Sequence, residues 1–186
     1  MKVDSRIVLL AILLFTCCSQ TTQLHDEEPS SIDKLGELYT DTVNHFSITF
    51  PNSWIVKPNY FSTVMAIGYS PNDSLVKNEN RGAISLRVAS VSDSMNTSTY
   101  YNASLVKILE DQSLVIIEQG NLDLNGEITK FVVVQQDLGN NMDFITIYLY
   151  MVANQKAFSF NGSVDATYRE DFDKLFFKIV NTLKVE

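Results

Sequence analysis

Two cysteines, Cys17 and Cys18, and two histidines, His25 and His45, are the whole stock of thiol and imidazole groups in 186 residues. Adjacent cysteines are poor disulfide partners, because the bridge needs a Cα separation and a dihedral that neighbours reach only under strain. Without a companion cluster of Cys or His they fall short of a zinc site, and CC lacks the spacer of a C-x-x-C redox pair. His25 lies in a polar, acidic tract, and His45 precedes a strand-like run, the place of a solvated residue rather than of a general base. No G-x-S-x-G, H-E-x-x-H, Walker A or G-x-G-x-x-G string occurs. "DLNGE" (Asp123 to Glu127) carries oxygen ligands like a fragment of a calcium loop, but a full loop spreads them over about twelve residues. With Leu124 inside it and β patterns on both sides, it fits a hairpin better. The residues therefore predict no catalytic group, no metal site and no cofactor, and a protein that is not an enzyme.

The cysteines instead close a segment with three parts. Lys2 and Arg6 form a basic head, Ile7 to Phe15 is an unbroken apolar run, and Thr16 to Ser19 is a small-residue exit. That is the order of a secretory signal peptide. The run is about half of the ~20 residues a spanning helix needs, and no other stretch is longer, which excludes a polytopic helical protein. A cysteine at this place resembles the lipobox of bacterial lipoproteins, in which the cysteine after the cut is diacylated and becomes the new N-terminus. With Cys18 as the anchor, Thr16 and Cys17 place small residues before the cut; with Cys17, Leu14 is kept but Phe15 fills a small-residue slot. Cys18 is preferred, Cys17 is the alternative, and plain secretion with ordinary cleavage remains a third course. The resemblance implies a lipid-anchored protein of the bacterial cell envelope, attached to the membrane through its N-terminus. Ser19 is not the aspartate that retains lipoproteins at the inner membrane, so the outer membrane is favoured.

The chain has a net charge of −8, and the signal segment itself is net positive, so the remainder is more acidic still. An acidic surface argues against nucleic acid and against docking on anionic headgroups, both of which need a basic patch. Residues 19–31 ("SQTTQLHDEEPSS") hold almost no apolar side chain to offset the entropy of ordering, and read as a stalk. The expected division is 1–17 signal peptide, 18–37 lipidated N-terminus and stalk, and 38–186 a single folded domain.

Within that domain "HFSITFP" alternates, with Phe46, Ile48 and Phe50 on one face. "STVMAIGYSP" and "AISLRVASV" read as further strands, separated by the loop "PNDSLVKNENRG". A helix capped by Thr97 or Ser98 is expected next, with Tyr101, Leu105, Ile108 and Leu109 on its buried side. Strands follow in "SLVIIEQ", "NLDL", "EITKFVVVQQ", "DFITIYLYMVA" and "KAFSFNG", with a hairpin at Asn125-Gly126 and another within "MVANQKAF". From Tyr168 the apolar positions Phe172, Leu175, Phe176, Ile179, Val180 and Leu183 form a helical stripe, with acids first and lysines last to suit the helix dipole.

This order of elements resembles the Mog1/PsbP/DcrB-type fold. The residues that carry the resemblance are Phe46, Ile48, Phe50, Pro51 and Trp54 ("F-x-I-x-F-P-x-x-W"), Asn125 and Gly126, and the aromatic hairpin with Tyr148, Tyr150, Ala157 and Phe158. The resemblance spans most of residues 38–186. It implies an α+β domain: an antiparallel sheet flanked by helices as an αβα sandwich, with a C-terminal amphipathic helix packed on the sheet. It also implies a non-catalytic accessory, assembly or chaperone-like role exercised through a protein partner. A small-ligand carrier or an uncharacterised envelope enzyme is the alternative. The partner surface is expected at Tyr148 and Tyr150, which share one face of their strand with Phe144 and Thr146, together with the loop residues Asn72, Asp73, Asn78, Asn80 and Arg81. Packing into the core is the other reading of that tyrosine face.

Overall fold

A computed structural model describes residues 35–52, 54–61, 63–69, 82–139 and 143–186. The chain enters it through β1 (Leu35–Asp41), which begins within the last residues expected as stalk. Most of its side chains are exposed, so no alternation marks it in the sequence. Backbone pairing recruits it: β1 runs antiparallel to β2 (Phe46–Pro51), with Tyr39 opposite Ile48. The turn between them is built on Asp41, whose carboxylate accepts from the backbone N–H groups of Val43 (2.9 Å) and Asn44 (2.8 Å) and from the Asn44 side chain (2.8 Å). Burial pushes that carboxyl up, but these hydrogen bonds outweigh it and hold the group below its ordinary range. The alternation expected in β2 is present, with Phe46, Ile48 and Phe50 all buried. On its other side β2 takes β10 (Lys184–Val185), which completes a three-stranded sheet in the order β1-β2-β10.

The larger sheet has seven antiparallel strands: β3 (Trp54–Pro58), β4 (Met65–Tyr69), β5 (Ala83–Ser90), β6 (Leu114–Leu124), β7 (Glu127–Asp137), β8 (Asp143–Ala153) and β9 (Lys156–Asp165). They lie in the order β3-β4-β5-β9-β8-β7-β6. Both expected hairpins are two-residue loops with positive φ at each position, Asn125 and Gly126 in one, Asn154 and Gln155 in the other. That backbone matches the right-handed twist of the flanking strands. The Asp123 carboxylate accepts from the Gly126 N–H at 2.7 Å, so "DLNGE" closes a hairpin. The stretches "SLVIIEQ" and "NLDL" form one strand, β6, with a register shift between Ile116 and Glu118.

One helix packs on each face of this sheet. α2 (Arg169–Val180) follows a short 3₁₀ turn at Ala166–Tyr168 and buries Phe172, Leu175, Phe176, Ile179 and Val180. These five join the main core with the inward sets of β5, β8 and β9, such as Leu86, Ile147 and Phe160, and with Phe46, Ile48 and Phe50 of the smaller sheet. The expected stripe is longer than the helix: Tyr168 precedes it, and Leu183 lies past its end, buried where the chain turns toward β10. α1 (Thr97–Leu109) lies on the opposite face, where Tyr101 and Ile108 pack with Val132, Val134 and Tyr150. Its cap is Asn96, whose side chain accepts from the Thr99 N–H at 3.0 Å, rather than Thr97 or Ser98. Thr97 is diverted to the sheet, where its hydroxyl accepts from the Val152 N–H at 3.0 Å. Leu109, expected on the buried side, is 63 % exposed, because only a narrow stripe of α1 meets the sheet. The α+β class is observed; the described residues are mostly sheet, two antiparallel sheets and two α-helices, and among them each face of the larger sheet carries one short helix.

Candidate binding groove beside helix α1

Because α1 rests on β7 and β8, the part of the same face formed by β5 and β9 stays open beside it, and a groove of about 400 Å³ runs along the junction. Strand register decides which side chains form its floor. Arg87 of β5 is opposite Ser159 of β9, and Ser159 is opposite Tyr150 of β8. Since side chains on one face recur at every second residue, Tyr148 lies beside Tyr150 on that face, and the two rings stack at 6.5 Å with an interplanar angle of 9°. Asp111, just past the helix end, closes the groove, and the helix supplies the facing wall from Tyr100, Ser104, Lys107 and Ile108. These positions follow helical spacing, so they line one side of α1.

The hydroxyls are tied together across the wall and the floor. The Tyr100 and Ser159 hydroxyls share a hydrogen bond of 2.9 Å, and Tyr150 is hydrogen-bonded to the Ser104 side chain. Tyr100 and Tyr101 meet the Tyr150 ring edge-on, at 5.8 and 5.9 Å. Burial raises the Tyr150 phenol well above its ordinary range, with Tyr148 beside it adding to the shift. Burial also raises Tyr148; Asp111 adds to this and Arg87 opposes it. Both phenols are therefore neutral at physiological pH and keep a proton to donate. At the end of the groove Asp111 is bound to its own turn, its carboxylate accepting from the Ser113 N–H (2.9 Å) and hydroxyl (2.7 Å). The groove is thus rich in donors: two cations, three phenols and two serine hydroxyls.

Of the residues expected at a partner surface, Tyr148 and Tyr150 both line this groove. Tyr148 is half-buried, while Tyr150 is only 6 % exposed and doubles as a core residue beneath α1. Asn72, Asp73, Asn78, Asn80 and Arg81 lie outside the described residues, as do Cys17 and Cys18. Sequence reasoning missed Arg87, Lys107, Tyr100, Ser104 and Ser159. Two of them had a signal: Arg87 is the single charge in β5, and Lys107 the single charge in α1. His45 takes a positive φ of 55° in the turn before β2, and its carbonyl accepts from the Glu186 N–H at 2.9 Å, a structural position.

The chain matches no family model and no curated protein. It is similar to several solved structures. One is LpqN, involved in cell envelope biogenesis of Mycobacterium tuberculosis, with a TM-score of 0.60 at 10 % identity, covering 81 % of this chain and 84 % of that one. A second is the cyanobacterial PsbP (CyanoP) of Synechocystis, with a TM-score of 0.59 at 13 % identity, covering 81 % of this chain and 92 % of that one. A third is the Ran-binding protein Mog1p of Saccharomyces cerevisiae, with a TM-score of 0.57 at 8 % identity, covering 82 % and 96 %. At such identities the likeness is one of fold, and the fold is PsbP- and Mog1-like.

Proposed function

We propose that this protein is a non-catalytic lipoprotein of the bacterial cell envelope, anchored through Cys18 with Cys17 as the alternative, whose PsbP-like domain binds a protein partner in an accessory, assembly or chaperone-like role. The observation that carries the reading is the chemistry of the α1 groove. Most of its polar groups can donate hydrogen bonds, and its rings give apolar contact, a combination suited to holding a partner rather than to activating a nucleophile. The fold adds support, since it is shared with a Ran-binding protein and with a protein of cell envelope biogenesis. The outer membrane is the favoured location, and Asn72, Asp73, Asn78, Asn80 and Arg81 are proposed as further partner contacts.

A photo-crosslinking residue placed at Tyr148, and separately at Lys174 on α2, tests this in cells. A discrete adduct is expected from position 148 only, and it should disappear when Arg87→Gln is added. Equal adducts from both positions, or none from 148, would rule the groove out as the partner site. A second reading, a carrier of a small ligand, is favoured by one observation: about 400 Å³ falls within the few-hundred-Å³ range of small-molecule sites.

A further inference from the structure

We propose that the groove beside α1 binds a small organic acid, its carboxylate or phosphate held between Arg87 and Lys107 and its apolar body laid against the Tyr100 and Tyr148 rings. This rests on the reading of the groove as a recognition site and takes its small-ligand form.

Charge is the first argument. In a chain of net charge −8, two cations line one groove, Arg87 on its sheet floor and Lys107 on its helical wall. The ion pairs of the described residues are all elsewhere: Arg169 with Glu118 and Asp173, and Lys174 with Glu170. Neither Arg87 nor Lys107 is ion-paired to a described residue, and both line the groove. The one acid that lines it, Asp111, is held by Ser113 at the far end and stays ionised, so the groove carries a net single positive charge. Lys130, next along the strand register beyond Tyr150, is engaged instead over the Tyr101 ring at 5.4 Å.

The hydroxyls are the second argument. Two hydroxyl protons close the Tyr100–Ser159 and Ser104–Tyr150 bonds, and those left over among the serines and phenols can donate to an anion, which accepts several such bonds at once; charge-assisted bonds of this kind are the strong ones. Size is the third. A bare inorganic anion would leave most of about 400 Å³ unfilled, and the stacked Tyr148 and Tyr150 rings offer that remaining volume an apolar wall. A polyanionic peptide is disfavoured, because it would have to approach against the field of the whole acidic domain, whereas a single acid on a neutral body responds to the two nearby cations.

The test is calorimetric titration of the full chain with benzoate, phenyl phosphate, benzamide, inorganic phosphate and a short oligoglutamate. Benzoate and phenyl phosphate are expected to bind saturably and more weakly as salt rises, and benzamide and inorganic phosphate to bind far less. Arg87→Gln and Lys107→Gln should each weaken phenyl phosphate about tenfold or more, with unchanged circular dichroism, while Lys174→Gln on the opposite face leaves it unaltered. Benzamide binding as tightly as benzoate, inorganic phosphate binding as tightly as phenyl phosphate, or affinity indifferent to both glutamine variants would each overturn the proposal. Binding of oligoglutamate alone would overturn the small acid but leave the groove a recognition site. Failure of every titrant together with failure of the crosslink at position 148 would end both readings.

Discussion

At the scale of single residues, small side chains decide how closely the layers approach. Gly162 of β9 stands where Phe176 of α2 comes down on the sheet, and a Cβ there would lie 2.5 Å from that ring. Gly162 is opposite both Ile84 and Ile147, in the middle of the sheet, so neither the strand nor the helix has room to move aside. Gly162→Ala is expected to cost about 1–3 kcal/mol by overpacking, seen as a lower urea midpoint with an unchanged slope. A wild-type midpoint would mean that α2 sits farther from β9. Gly120 is the same device read wrongly from sequence. It interrupts an apolar pattern and looks like a break between two strands, yet β6 runs through it, and the Phe131 ring of β7 fills the space a side chain would need. A glycine that makes room for a neighbour's ring is indistinguishable in one sequence from a glycine that ends a strand.

At the scale of elements, the two helices differ in what they secure. α2 buries five large apolar side chains in the main core, and α1 buries Tyr101 and Ile108 in a satellite cluster. Phe176→Ala is therefore expected to cost about 3–5 kcal/mol, whereas Leu109→Ala, on the exposed side of α1, should stay within about 0.5 kcal/mol. Chemical denaturation of both variants checks the contrast, and similar losses in the two would contradict it. The stripe of α2 was legible because one face of it is apolar and the other charged. The alternation of β2, β5 and β8 was legible for the equivalent reason. β1, β3 and β10 were not: β1 is mostly exposed, β3 is five residues ending in proline, and β10 has two residues, so each owes its place to a partner strand rather than to its own pattern. The groove was half legible. Alternation put Tyr148 and Tyr150 on one face, as the structure has them, but where α1 lands, burying Tyr150 and leaving Arg87 open beside it, is a matter of tertiary packing.

For the whole molecule, the proposed anchor is the feature to test. The order of a basic head, an apolar run and a cysteine predicts lipid on Cys18. Labelling with an alkyne fatty acid should mark the wild type and Cys17→Ser but leave Cys18→Ser blank; label lost only in Cys17→Ser would move the anchor by one residue, and label in none would favour plain secretion. The two sheets also set an order in time. β2 is completed by β10, which lies more than 130 residues further along the chain, and the same segment is held by the Asn125 side chain at the Leu183 carbonyl (2.8 Å) and by the Asn154 side chain at the Glu186 carbonyl (3.2 Å). Such long-range closure slows folding. The smaller sheet, which joins β2 to β10 across nearly the whole described domain, is therefore expected to close after the local hairpins of the larger one.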